Sequence, residues 1–178
     1  MQYKTYFMSA ALLIGLSGCV QPSLSGQGYD ITVPLSTVSS GIAESFPQKN
    51  KMKYGTLVVE KPDLLAKKSK DTLGIGSAFS FSNMLIPNGI KGVAKLSSGL
   101  RFDPSDKNVY LDNLMVDELK FQDFALSNYL TPQIRTLIGK AIASQLKEKP
   151  LYQVNSLGSS LVKDVSIKNG DLVLSVGL

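Results

Sequence analysis

The segment from Leu73 to Leu85 constrains the fold most, because bulky apolar and small side chains alternate along it. The large apolar residues are separated by even numbers of positions: Leu73, Ile75, Phe79, Phe81 and Leu85. Several positions between them carry only glycine, alanine or serine: Gly74, Gly76, Ala78, Ser80 and Ser82. This alternation predicts a long β-strand. A strand with one bulky face and one small face can bend sharply over something that it encloses.

The residues that follow predict further strands of an antiparallel meander. Pro87-Asn88-Gly89 predicts a turn, and Asp103 to Asn108 predicts the next hairpin. Between these turns, apolar Ala94, Leu96, Leu100 and Phe102 alternate with basic Lys91, Lys95 and Arg101. From Val109 to Phe124 the apolar residues change face twice, which predicts β-bulges near Asn113 and Asp117-Glu118. We therefore expect a long, strongly curved antiparallel sheet.

Two segments have the three- and four-residue apolar spacing of an amphipathic helix. The longer segment runs from Asn128 to Glu148, with Thr131-Pro132 as its cap and first-turn pair and Pro150 as its stop. The shorter segment lies between Pro34 and Pro47 and is apolar at Leu35, Val38, Ile42 and Phe46. The combination predicts an α+β fold in which the curved sheet wraps around one long helix.

The remaining segments predict shorter elements. Tyr29 to Val33 and Tyr54 to Glu60 are predicted as strands, and Pro62 is expected to end the second of them. A basic connector, Lys49, Lys51 and Lys53, precedes this second strand. Asp63 to Asp71 is predicted as an exposed loop whose lysines are solvated or contact phospholipid or lipopolysaccharide. Asn169-Gly170 predicts a terminal hairpin with a type I′ turn.

The residue types that the chain lacks exclude several kinds of chemistry. It has no His and a single Cys, which excludes Ser-His-Asp and Cys-His catalysis and His-ligated zinc. The acidic residues that could act together lie in predicted turns or on strand faces, where solvated charge is the simpler interpretation: Asp103, Asp106, Asp112, Asp117, Glu118 and Asp123. We therefore predict no enzymatic activity, no metal site and no cofactor.

The charge balance is moderately basic, with 19 Lys and Arg against 14 Asp and Glu. Such a surplus suits an anionic membrane surface. Nucleic acid is not an expected partner, because the chain has no dense arginine-rich motif.

The N-terminal region predicts export followed by attachment of lipid. An apolar run from Tyr6 to Leu16 follows Lys4 and is too short to span a bilayer. Leu16-Ser17-Gly18-Cys19 has the form of a lipobox. We expect residues 1–18 to be a lipoprotein signal peptide and Cys19 to carry the acyl chains that hold the protein on a membrane. The alternative is a free cysteine in an ordinary leader.

The residues after Cys19 predict the organisation of the mature protein. Residues 19–28 carry no charge and are rich in glycine and serine, which predicts a flexible tether. Residues 29–178 are enough for one domain. Val20 stands where an aspartate would favour retention in the inner membrane. The predicted location is therefore the periplasmic face of the outer membrane.

The order of these elements resembles that of the YceB-like bacterial lipoproteins. The local features that carry the resemblance are Tyr29-Asp30-Ile31-Thr32, the Pro150-Leu151-Tyr152 stop and the closing segment from Val165 to Val176. That family is similar to the tubular lipid-binding (TULIP-like) superfamily. The resemblance implies a curved sheet around a long helix, with an apolar groove between them for a lipid or other hydrophobic ligand.

The groove that the resemblance implies would be lined by apolar residues of the helix and the sheet. They are Ile134, Leu137, Ile138, Ala141 and Ile142 on the helix, and Ile75, Phe79, Phe81, Leu96, Leu100 and Phe102 on the sheet. The same stripes are equally typical of a closed, fully packed core. The predicted function is therefore binding of a lipid or fatty-acid-like ligand. The alternative is an envelope scaffolding protein that binds another protein and has no ligand cavity, and no protein partner is identified.

Overall fold

The computed structural model describes residues 19–22, 28–66, 72–154 and 159–177. Within these ranges the strands are β1 Cys19–Pro22, β2 Tyr29–Pro34, β3 Gln48–Met52, β4 Gly55–Ala66, β5 Leu73–Ser82, β6 Ile90–Asp103, β7 Asn108–Phe121, β8 Tyr152–Gln153, β9 Val162–Lys168 and β10 Asp171–Val176. The helices are α1 Leu35–Ala43, α2 Phe124–Ser127 and α3 Pro132–Lys147, with a 3₁₀ turn at Ser159–Leu161. The predicted α+β class is confirmed, and antiparallel sheet dominates it.

The strands form two antiparallel sheets. The larger has six strands in the order β3-β4-β5-β6-β7-β8, and the smaller has four in the order β1-β2-β10-β9. Helix α3 packs chiefly on β7, and α1 packs chiefly on β4. The buried side chains of these layers form one apolar cluster, which includes Ile42 of α1, Phe79 of β5 and Ile142 of α3.

Both predicted bulges are present in the β6–β7 ladder. Lys95 pairs with Glu118 and Leu96 with Val116, so Asp117 is an extra residue. A second register shift falls opposite Ser98 and includes Asn113, whose φ is 47°. Buried serine hydroxyls stabilise both irregularities, since Ser97 donates to the Asp117 carboxylate at 2.8 Å and Ser98 donates to the Asp112 carbonyl at 2.8 Å.

The prediction of a strongly curved sheet was wrong, because the sheet is not strongly curled. Both β7 bulges lie in a single ladder. A bulge bends and twists its own strand pair, whereas rolling an entire sheet requires a similar change in several neighbouring ladders.

Pro62 does not end the second predicted strand. β4 continues to Ala66, and its pairing with β5 shifts register between Val59 and Pro62. A proline lacks the amide donor that a regular ladder needs, but a bulge tolerates it. The hydroxyl of buried Ser77 also donates to the Glu60 carbonyl at 3.0 Å beside this bulge. Of the predicted basic connector, Lys49 and Lys51 lie in strand β3, which pairs with the first part of β4, and Lys53 lies in the turn that follows.

The long helix is shorter than predicted but begins at the predicted cap. Thr131 Oγ1 accepts a hydrogen bond from the Ile134 amide at 3.3 Å, and Pro132 follows as the first helical residue. The residues before it form α2 and a turn. Arg135 joins this turn to α3, because its guanidinium donates to the Ser127 carbonyl at 2.7 Å and the Leu130 carbonyl at 3.2 Å.

The two ends of the described chain meet in the four-stranded sheet. Asn169 and Gly170 both have positive φ, as the predicted hairpin turn requires. β10 then pairs with β2. Part of the predicted tether departs from expectation, because Cys19–Pro22 forms strand β1 along the free edge of β2. The predicted signal peptide and residues 23–27 lie outside the described residues, as do the lysines at 67, 68 and 70.

One side chain of α3 leads to a prediction about stability. Within the described residues, the amide nitrogen and oxygen of Gln145 are both covered and lack a hydrogen-bond partner. An unpaired buried polar group costs free energy that an apolar group of similar shape does not. We expect Gln145→Met to raise the free energy of unfolding by about 1 kcal/mol, measured by urea denaturation. A lower value would show that the amide is paired in solution, and Gln133→Met at an exposed position of the same helix is the control.

Candidate functional site

The structure brings most of the predicted groove residues together. Six of these side chains are at most 2 % exposed: Ile75, Phe79, Phe81, Leu96, Ile138 and Ile142. Four are half-buried against the same cluster: Leu100, Phe102, Ile134 and Ala141. Leu137 lies apart from the cluster and is 40 % exposed. The predicted walls of the groove therefore meet as parts of one apolar interior.

The space between these walls is occupied by the protein's own side chains. The rings of Phe79 and Phe121 contact edge to face, with centroids 5.6 Å apart. A ligand-sized channel would leave part of its lining accessible, yet Ile138 and Ile142 are fully covered. Leu100 and Phe102 instead border a small cleft of about 280 Å³ against β9. The groove thus remains a prediction, and the structure as described has a packed interior at these residues.

A larger apolar cleft opens at one end of the six-stranded sheet, and we call it the tip cleft. It has a volume of about 600 Å³ and lies between the β3–β4 turn and the β5–β6 loop. Its lining consists of Lys53, Tyr54, Gly55, Thr56, Ser82, Asn83, Met84, Leu85 and Pro87. The side chain of Met84 is 97 % exposed and that of Leu85 is 73 % exposed. The prediction had placed Leu85 on the buried face of a strand, but β5 ends at Ser82.

A local hydrogen-bond pattern turns Met84 and Leu85 outward. Asn83 Oδ1 accepts from the amides of Leu85 at 3.0 Å and Ile86 at 2.9 Å, so its side chain forms an Asx turn. The next apolar residue, Ile86, is buried and anchors the far side of the loop. The loop therefore holds two large apolar side chains in solvent on a short, braced segment.

Gly55, which lines the tip cleft, packs closely against the buried ring of Phe81. Gly55 has a φ of 155°, and a Cβ there would lie 2.6 Å from the Phe81 ring and 2.3 Å from the Ser82 carbonyl. Only glycine fits this close approach without strain. Phe81 is one of the predicted groove residues, so Gly55 lies between the tip cleft and one end of the predicted groove.

A second apolar cleft, of about 550 Å³, lies where β7 meets the last turns of α3. It is lined by Asn113, Leu114, Met115, Ala143, Ser144 and Lys147. Sequence reasoning missed both clefts. The Asn83 turn signal could have revealed the first, and the bulge predicted at Asn113 could have revealed the second.

A comparison with protein families identifies the group to which the chain belongs. Residues 63–171 match the family described as protein of unknown function (DUF1439). The chain belongs to the DUF1439 family. No curated protein matches it. The DUF1439 match begins within β4 and ends at the start of β10, so it includes the Met84-Leu85 side of the tip cleft but not Tyr54. The YceB-like and TULIP-like resemblance stays a prediction.

The acidic residues of this DUF1439 protein act as surface and turn partners. The Ser105 hydroxyl and then the Arg101 guanidinium lower the pKa of Asp103 to about 2. The Tyr110 hydroxyl donates to Asp106 and lowers the pKa of that carboxyl. Hydrogen bonds from Lys95 and Lys120, each 2.9 Å away, lower the pKa of Glu118. These downward shifts are opposite to what a general acid requires.

Two further features bear on chemistry and location. No group of three metal-ligating side chains occurs among the residues that the structure describes. Over the same residues, no helix is long and apolar enough to cross a bilayer. The side chain of Cys19 lies outside the description, so its acylation stays a prediction.

Proposed function

We propose that this protein is a lipid-anchored, non-enzymatic envelope protein that binds the apolar part of a lipid through the tip cleft. The observation that carries the proposal is the position of the cleft. Exposed Met84 and Leu85 line the cleft together with Gly55, and a Cβ on Gly55 would lie 2.6 Å from the buried ring of Phe81. We propose that an apolar chain bound there reaches the interior beside Gly55, which has no side chain to cover the Phe81 ring.

The chemistry of the cleft supports an amphiphilic ligand. Its volume lies within the range of about 300–1,000 Å³ that is usual for small-molecule sites. Apolar side chains dominate the rim, while Lys53, Thr56 and Asn83 supply polar groups. The ammonium group of Lys53 lies 5.4 Å from the centre of the Tyr54 ring. A cation beside an apolar cleft suits an anionic headgroup followed by a hydrocarbon chain.

The predicted groove extends this proposal inward. From Phe81, the next ring on the same face of β5 is Phe79, which packs on Phe121, and the Arg135 guanidinium lies 5.5 Å from the centre of that last ring. We propose that the ligand chain lies along this row of rings after they rearrange, with α3 as the opposite wall. This is the TULIP-like mode of binding that the resemblance implies.

The test is photo-crosslinking of the full chain in its own membrane with a fatty acid that carries a photoreactive group at the chain end. Occupation of the cleft places crosslinks on Phe81, and Leu85→Asn at the rim reduces them. Leu137→Asn, at an exposed apolar site of α3, is the matched control and leaves the labelling unchanged. Labelling that never reaches Phe81 would exclude the proposal.

A second function, protein scaffolding, is favoured by a different observation. Ile138 and Ile142 are fully buried, while Met84 and Leu85 are largely exposed to solvent. A packed interior beside an exposed apolar patch is typical of a docking surface. The same crosslinking experiment separates the two functions. In a scaffolding protein a bound partner would cover Leu85, and the fatty acid would not label Phe81.

A further inference from the structure

Large apolar side chains are exposed at the tip of the six-stranded sheet. We define the tip as the β3–β4 turn with the β5–β6 loop. It presents Met84, Leu85 and the half-exposed ring of Tyr54 to solvent. The loop that carries Leu85 is held by a hydrogen bond, since Asn83 Oδ1 accepts one from the Leu85 amide at 3.0 Å. Adjacent exposed apolar side chains on a braced turn mark an interaction site.

Lysines lie immediately behind this apolar tip on the outer face of the sheet. Lys51 pairs with Thr56, and Thr56 pairs with Ser82 at the edge of the tip cleft. In the next outward-facing row, the order across the strands is Lys49, Val58, Ser80 and Lys91. Two residues of extended strand span about 7 Å. The Lys49–Lys91 row therefore lies about 7 Å behind the row of Lys51 and Ser82, and this step is comparable with a headgroup layer, which is about 5 to 7 Å thick on each side of a bilayer.

The surroundings leave these cations available to an anionic surface. Lys49, Lys51 and Lys91 are exposed, and within the described residues none of them lies in an ion pair. Further along the same face, Glu118 is already engaged by Lys95 and Lys120.

We infer that the tip inserts Met84 and Leu85 into an anionic lipid bilayer, with Lys49, Lys51 and Lys91 against the headgroup phosphates. Apolar anchors at the end of the sheet and cations in the two outward-facing rows behind them match the layering of a membrane interface. A protein partner would require no such layering. The inference rests on the proposed function and deepens it, because insertion opens the tip cleft towards the lipid that it binds.

The chain has no tryptophan, so a single introduced tryptophan can report the depth of the tip. The full chain carrying Leu85→Trp is reconstituted into vesicles of equal parts phosphatidylcholine and phosphatidylglycerol that contain brominated acyl chains. Met115→Trp is the matched control, because Met115 is also exposed and lies six residues from the tip end of β7. We expect bromine to quench the fluorescence of the tryptophan introduced at position 85 and to leave that of the control largely unaffected.

The lysines provide the second readout. Replacing Lys49, Lys51 and Lys91 by Gln is expected to lower the equilibrium constant for tip insertion by about fivefold per lysine, or about 100-fold together. For the protein that keeps these three lysines, vesicles of pure phosphatidylcholine should lower the equilibrium constant for tip insertion to a similar extent. Equal quenching of the tryptophans introduced at positions 85 and 115 would overturn the inference. So would quenching at position 85 that changes neither when the lysines are replaced nor when phosphatidylglycerol is left out. So would shielding of the reporter in native membranes but not in pure lipid, which would identify a protein partner.

The two proposals fail separately. Crosslinks on Phe81 without quenching at position 85 leave the proposed function standing and remove tip insertion. Quenching at position 85 without crosslinks on Phe81 retains insertion and removes the ligand site.

Discussion

Phe79→Ala is expected to lower the free energy of unfolding by about 3 to 5 kcal/mol. The Phe79 ring is 2 % exposed, packs edge to face on Phe121, and lies in the main apolar cluster. Truncation removes buried apolar surface and leaves a cavity that the surrounding core closes only in part. Urea denaturation followed by circular dichroism measures the change.

The same measurement decides between a packed core and a standing groove at this position. If Phe79 lined an open groove, truncation would cost little, because solvent or ligand would already contact the ring. Leu137→Ala is the control, since Leu137 lies outside the cluster and is expected to cost less than about 1 kcal/mol. A small loss for Phe79→Ala would mean that the interior is open in solution.

A single added methyl group is expected to have opposite effects at Gly92 and Gly76. A Cβ at Gly92 would lie 2.4 Å from the Phe79 ring and 2.5 Å from the Lys120 carbonyl. The carbonyl belongs to the neighbouring strand and cannot yield without disturbing the β6–β7 ladder. We therefore expect Gly92→Ala to destabilise the protein by about 1 to 3 kcal/mol.

Gly76→Ala is the matched control on the adjacent strand. No atom lies within 4 Å of a Cβ built there. The substitution should stabilise the protein by about 0.4 to 1 kcal/mol, because alanine restricts the unfolded chain more than glycine does. Thermal denaturation of the two variants measures the contrast, and equal effects would contradict the close approach described at Gly92.

The features that could be predicted from sequence depend on short-range patterns. The phase changes along β7 located both bulges, because each extra residue moves the following side chains to the other face. The three- and four-residue spacing located α3, and Thr131-Pro132 located its start. Asn169-Gly170 located the terminal turn, because a type I′ turn requires positive φ at both residues.

The features that could not be predicted depend on neighbouring strands. Two-residue alternation continues numerically to Leu85, but pairing stops at Ser82, and periodicity alone does not show where pairing ends. Pro62 remains within β4 because a bulge accommodates it. The overall curl of the sheet depends on all of its ladders, so the bulges of one ladder could not determine it.

The predicted site shows the same limit. An apolar stripe has one pattern whether it meets side chains or acyl chains, so Ile138 and Phe81 could be assigned to a wall but not to a groove. The tip cleft depends on two turns that lie far apart in sequence, the first at Lys53-Tyr54 and the second at Met84-Leu85. Only the strand register brings those turns together.

The pairing of β2 with β10 joins Tyr29–Pro34 to Asp171–Val176. Closing so long a loop is slow relative to forming a hairpin. On a chain synthesised from its N-terminus, β2 has β1 as an early neighbour, but its other edge stays unpaired until the last strand is made, while β4 to β7 already have their sequential partners. We therefore expect the β2–β10 pairing to be the last step in assembling the four-stranded sheet, and loss of the C-terminal hairpin to leave β2 with an open edge even where the larger sheet has folded.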